Sequence, residues 1–80
     1  MTGSKPGNRT YREIVGINVQ RERLGRGMSV EELALRSGVT PEHIEAIENA
    51  RVTTGLDELD NIARALGLDV LDLGEPPASQ

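Results

Sequence analysis

The side chains best equipped for chemistry cluster between residues 40 and 51. They are Thr40, Glu42, His43, Glu45, Asn49 and Arg51, with Pro41 and Ala46 among them. Carboxylates, an imidazole and an amide bind divalent metals or move protons, so a metal site from Glu42, His43, Glu45 and Asn49 is worth testing against the spacing. It fails: on a helix His43 and Glu45 stand two residues apart and do not share a face. Paired carboxylates for acid–base work need a cleft, and nothing in so short a helical chain suggests one. The sequence has one His and no Cys, which excludes disulfides, thiolate metal sites and a multi-histidine zinc site. No Gly-rich phosphate loop, nucleophile elbow or cofactor motif is present. The expectation is therefore no catalytic residue, no metal and no cofactor. His43 reads as an exposed group or as a contact to a base or a phosphate.

The charge distribution carries a second message. The net charge is −4, which alone argues against a nucleic-acid partner. Residues 1–26, however, hold six Lys and Arg against two acids, whereas residues 27–50 hold one against five and residues 51–80 two against six. An anionic partner would meet the basic N-terminal third first.

These side chains need a scaffold, and 80 residues suffice for a single domain. Hydrophobic residues make up 36% of the chain, with one Tyr and no Phe or Trp, so the core is small and aliphatic. Small domains are often marginal alone, which makes a dimer plausible. No apolar run approaches the ~18–20 residues of a membrane span, and no secretory h-region opens the chain. A cytoplasmic protein without a membrane partner is expected.

Residues 1–9 are Gly/Pro/Ser-rich and basic and read as a flexible arm. Thr10 and Glu13 have capping-box spacing, which places a helix start at Tyr11. Its apolar positions are Ile14, Val15, Ile17, Val19 and Leu24; Gly16 weakens it, and Gly25 and Gly27 end it. Ser29 and Glu32 repeat the box for a short helix to Ser37, with Gly38 as its left-handed terminator. Thr40-Pro41 opens a third helix whose buried edge is Ile44 and Ile47. Thr54 is expected to cap a fourth, with a stripe of Leu56, Leu59, Ile62, Ala63 and Leu66. Asp69 caps one last turn. Residues 74–80 read as a disordered tail.

A three-residue turn containing Gly38 makes two short helices cross steeply, with Ala34 small enough for close approach. Such a unit, spanning 29–48, projects its second helix outward, where its N-terminal residues can enter a DNA major groove. The wider pattern runs through Gly16, Arg23, Met28-Ser29-Val30-Glu31-Glu32-Leu33-Ala34, Gly38-Val39-Thr40, Ile44, Ile47-Glu48-Asn49, Leu59 and Ile62-Ala63-Arg64-Ala65-Leu66-Gly67. It resembles the Cro/phage-repressor-type helix-turn-helix family, also called the xenobiotic-response-element family, from about Val15 to Leu73. The resemblance implies an all-α, compact five-helix domain over 10–73, with helices two and three as the DNA-reading unit.

It further implies roles residue by residue. Arg23 and Glu48 match a structural ion pair. Thr40, Pro41, Glu42, His43, Glu45, Ala46 and Asn49 match positions that face DNA, and Arg51 a phosphate-contacting position. Val30 replaces a phosphate-touching glutamine, a contact its backbone N–H could still make. Ala50 replaces a glycine and Thr54 a proline in the following loop. Glu42 and Glu45 weaken non-specific attraction to phosphates, yet a carboxylate can accept from cytosine N4. Arg9 and Arg12, with Lys5, supply a basic arm of the kind that reaches along DNA.

Leu24, Leu35 and parts of the Ile14/Ile17 face remain as apolar positions to be covered by arm, tail or partner subunit. The resemblance, to a family that commonly dimerises through its last helices, implies Leu68, Val70, Leu71 and Leu73 as further dimer candidates. The expected function is a sequence-specific transcriptional regulator that binds double-stranded DNA as a homodimer. It would act by occupying its site, or by touching polymerase or another regulator. The alternative is a protein-interaction module that keeps the fold with weak or lost DNA binding.

Overall fold

The computed structural model describes residues 9–77; the rest of the arm, Lys5 included, and residues 78–80 lie outside the described residues. Helix α1 (Tyr11–Gly25) starts with a complete capping box. The Thr10 hydroxyl accepts from the Glu13 N–H, and the Glu13 carboxylate accepts from the Thr10 N–H. Two otherwise unpaired donors are thereby satisfied. Helix α2 (Val30–Ser37) has half of that device. The Ser29 hydroxyl accepts from the Glu32 N–H. The Glu32 carboxylate pairs instead with Arg36, one turn on, at 2.8 Å.

Gly38 stops α2 in the left-handed region at φ 76°, where a Cβ would be strained. Thr40 then caps α3 (Pro41–Glu48) by accepting from the His43 N–H, with Pro41 at the first helical position. Helix α4 spans Leu56–Ala65 and α5 spans Val70–Leu73. The Asp69 carboxylate accepts from the Leu71 N–H, and Asp72 accepts from the Asp69 N–H.

The start of α4 differs from expectation. Its cap position is Gly55, with no side-chain cap bond. Thr54 is turned into a small crevice shared with Val15, Val52 and Leu59, and its hydroxyl oxygen is buried without a hydrogen-bond partner. Packing of the loop against α1 takes the side chain that local spacing assigns to the helix end. Leu56 correspondingly faces outward, so the stripe of α4 that reaches the core begins at Leu59.

Helix α1 packs on α3 and α5, α2 on α3 and α4, and α4 on α5. Val19, Leu33, Ile44, Ile47, Leu59, Ile62, Leu66 and Leu73 are the large side chains sealed between them. The described residues form five α-helices and no strand. None of these helices is long and apolar enough to cross a membrane.

Leu73, a dimer candidate by sequence, is fully buried and closes this core. Leu68 and Val70 pack half-buried against it. Residues 74–77 also depart from the expected tail. Asn18 lies buried within α1, where an unpaired amide would cost about 1–3 kcal/mol. It donates to the carbonyls of Leu73 at 3.0 Å and Glu75 at 2.6 Å. Those bonds draw the segment after α5 back onto α1, and Pro77 is buried.

Candidate nucleic-acid interface

The inner side of α3 is held by three devices. Ile44 and Ile47 are sealed in the core. Gly16 of α1 lies under the last turn of α3: a Cβ there would stand 2.5 Å from the Ile47 carbonyl oxygen and 3.0 Å from that of Glu48. No side chain fits, so the glycine sets how closely the two helices approach. Sequence reasoning reads Gly16 as a weak point in α1 and as part of the family pattern, and gives no sign of the close approach.

The third device is the pair expected from the family pattern. Arg23 Nε donates to Glu48 Oε2 at 2.7 Å and Nη2 to Glu48 Oε1 at 2.9 Å, while Nη1 donates to the Met28 carbonyl at 2.8 Å. The two side chains are 10% and 5% exposed. A two-pronged bond between a planar fork and a carboxylate matches both geometries. The Glu48 hydrogen bonds raise the Arg23 pKa above its already high ordinary value, outweighing the lowering by burial. Because a raised base stabilises the fold at all pH below its ordinary pKa, this contribution persists throughout the neutral range.

With its inner side anchored, α3 turns Glu42, Glu45 and Asn49 outward, all exposed, with Ala46 half-buried between them. Among the described residues neither Glu42 nor Glu45 meets a cation. Glu42 sits in the first turn, where the helix dipole favours a negative charge. Asn49 ends the helix: its backbone N–H and its side-chain Nδ2 both donate to the Glu45 carbonyl, at 3.0 and 2.9 Å. Thr40 is exposed at the N-terminal cap and Pro41 is half-buried beside it.

The structure does not bring His43 together with this outward set. Its Nε2 lies 3.0 Å from Glu58 Oε1 at the start of α4, without hydrogen-bond alignment and without solvent contact. His43 therefore bridges α3 and α4 along the flank of the helix. No sequence signal links His43 to Glu58, because the contact depends on how α3 and α4 pack.

Arg51 is exposed in the loop after α3, its backbone N–H donating to the Ala46 carbonyl at 2.9 Å. Arg12, exposed on the first turn of α1, lines the same crevice as Val52, Thr53 and Thr54, so it stands beside the loop that carries Arg51. Arg9 is exposed just before α1. Val30 is half-buried and packs on the core, which leaves only its backbone, in the first turn of α2, for an outside contact. Ala50 adopts φ 59°, the conformation for which the family places glycine there. Among the described residues no group of three or more His, Cys, Asp or Glu side chains could hold a metal.

A Helix-turn-helix family model matches residues 19–73. A hypothetical transcription factor of Neisseria meningitidis serogroup B is 31% identical over 72 residues, covering 90% of this chain and 68% of that protein. An uncharacterized HTH-type transcriptional regulator of Sinorhizobium fredii, y4dL, is 43% identical over 59 residues, covering 74% of this chain and 30% of that protein. Among solved structures, the hypothetical transcription factor NHTF from Neisseria superposes with a TM-score of 0.84 at 28% identity, covering 96% of this chain and 88% of that one.

Proposed function

The chain belongs to the helix-turn-helix family, and from that premise we propose that it is a sequence-specific DNA-binding transcriptional regulator acting as a homodimer in the cytoplasm. Helix α3 enters the major groove, and the two copies read half-sites about one helical turn apart. The observation that carries this reading is the two-sidedness of α3. One side is locked by Ile44, Ile47 and the Arg23–Glu48 pair, while the other presents Glu42, Glu45 and Asn49 to solvent. An anchored helix with an uncommitted polar face can be inserted without loss of core.

Phosphate contacts come from groups beside that face. Arg51 and Arg12 flank one end of α3, and the backbone N–H groups at the start of α2 offer an anion site next to Val30. Thr40 and Pro41 set the register of the helix, and Arg9 extends the cationic edge. The apolar surface that supports a dimer lies around the start of α1, the start of α4 and α5. Tyr11, Leu56 and Leu71 are 52%, 70% and 72% exposed there, around an open groove of about 320 Å³ also lined by Val70. Exposed contiguous apolar residues of this kind mark association surfaces.

The free carboxylates on α3 favour a second reading, a protein-interaction module that meets a basic partner, such as another regulator, through Glu42 and Glu45. Selection of fragments from a randomised duplex pool, at low and near-physiological salt, separates the two. Enrichment of one palindromic motif that survives the higher salt is expected, since non-specific phosphate attraction decays steeply with salt. No enrichment at either salt sinks the DNA-binding reading and leaves the interaction module.

A further inference from the structure

The outward side of α3 is unusual in which half of the hydrogen-bond vocabulary it offers. Pro41–Glu48 contains no Arg, Lys or Gln, so the helix has no fork with which to grip guanine and no glutamine with which to grip adenine. His43 Nε2 is turned away toward Glu58. One N–H of the Asn49 amide donates to the Glu45 carbonyl, which ties Asn49 back to the end of the helix and leaves one N–H and the oxygen of that amide. Beyond the Thr40 hydroxyl at the cap, the exposed polar side chains along Pro41–Glu48 are those of Glu42 and Glu45. Ionised carboxylates accept hydrogen bonds and cannot donate.

In the major groove guanine shows two acceptors and thymine one, and neither shows a donor. A carboxylate set against either meets a lone pair of the same sign. Adenine shows an amino donor but with its own N7 acceptor beside it, whereas cytosine shows only its N4 amino donor, the acceptors of that pair belonging to the guanine. A face of free carboxylates is therefore complementary to cytosine. Glu42 and Glu45 are three residues apart, which is about 4.5 Å along a helix axis; successive bases of one strand are about 3.4 Å apart. The two carboxylates thus reach neighbouring base pairs.

We infer that Glu42 and Glu45 read the N4 amino groups of two cytosines in adjacent base pairs of each half-site. The inference rests on α3 entering the major groove. It also gives the acidic face a purpose. Phosphates repel these carboxylates everywhere along DNA, so only a site that supplies both amino donors offsets the repulsion. Discrimination rises while non-specific binding falls.

The test is motif selection with the purified full chain and with Glu42→Gln and Glu45→Gln. Both residues are exposed, and an unchanged unfolding midpoint verifies that each variant remains folded. The parent chain is expected to select two adjacent C·G pairs per half-site, with a loss of about 10-fold to 100-fold for replacing either. Each variant is expected to move one of those two columns from cytosine toward adenine, which a glutamine amide can grip through N6 and N7, and to leave the rest of the motif in place. A motif whose columns are the same in the parent and both variants, or one lacking adjacent C·G pairs, overturns the cytosine assignment and leaves the regulator reading standing. A parent chain that selects no motif overturns both.

Discussion

Glutamates at the C-terminal turn of α3 and on its outward face have opposite surroundings. Glu48 is nearly sealed, with both oxygens taken by the Arg23 guanidinium. Glu42 and Glu45, six and three residues earlier, stand in solvent with no cation among the described residues. The residue type is the same and so is the helix. What differs is the face, and the face is set by Ile44, Ile47 and the close approach at Gly16. The contrast teaches that a charge in this domain acquires its role from the side of the helix on which it falls. Charge on the inner side holds α1 to α3. Charge on the outer side stays in solvent.

The strongest way to break that contrast is Glu48→Ala. It leaves the Arg23 guanidinium buried without its carboxylate, and a loss of about 3–5 kcal/mol in denaturant unfolding is expected. Adding Arg23→Met to Glu48→Leu should return stability toward that of the parent, because a buried pair exchanged for apolar groups of like volume is often neutral. A loss from Glu48→Ala comparable to that of a surface substitution would remove the pair from its anchoring role.

Gly16→Ala should cost less. Alanine gains about 1 kcal/mol of helix propensity over glycine, but its Cβ meets two backbone oxygens that cannot rotate away. Overpacking of about 1–3 kcal/mol outweighs that gain and leaves a net loss of up to about 2 kcal/mol, read from the unfolding midpoint. A stabilised Gly16→Ala would show that α1 and α3 are free to separate. Ala50→Gly acts in the opposite direction. It relieves a left-handed alanine just beyond the anchored turn. After the greater freedom of the unfolded glycine is counted, a gain of about 0.5–1 kcal/mol in thermal or chemical unfolding is expected.

The smallest effect sharpens the comparison most. Glu42→Gln and Glu45→Gln should change unfolding free energy by less than about 0.5 kcal/mol, as surface substitutions away from packed features do. A large loss in either would mean that the outward face is structural as well. The expected order, from Glu48 through Gly16 and Ala50 to the outer glutamates, follows burial rather than charge.

Much of this was legible before any coordinates. Thr10 with Glu13, Ser29, Thr40 with Pro41, and Asp69 with Asp72 start their helices through groups no more than three residues away. Gly38 ends α2 for an equally local reason. The inner edge of α3 was legible from Ile44 and Ile47, and the Arg23–Glu48 pair through resemblance to a family. Thr54 shows the limit of that method. Its sequence position suits a helix cap, and packing beside Val15 and Leu59 overrode it.

Sequence patterns alone were enough to place α1, α2, α3 and the last turn and to supply most of the core stripes, though not the outward turn of Leu24 and Leu56. Caps, left-handed terminators and apolar periodicity act within a turn or two of chain, so neighbours suffice to read them. Tertiary packing settled the rest: Asn18 reaching the carbonyls of Leu73 and Glu75, Leu73 closing the core, His43 turning to Glu58, and Gly16 yielding to the carbonyls of α3. Each of those contacts joins residues 15 to 57 positions apart. Local patterns carry no record of such distances, and the contacts form only when the helices are pressed together around a common aliphatic core.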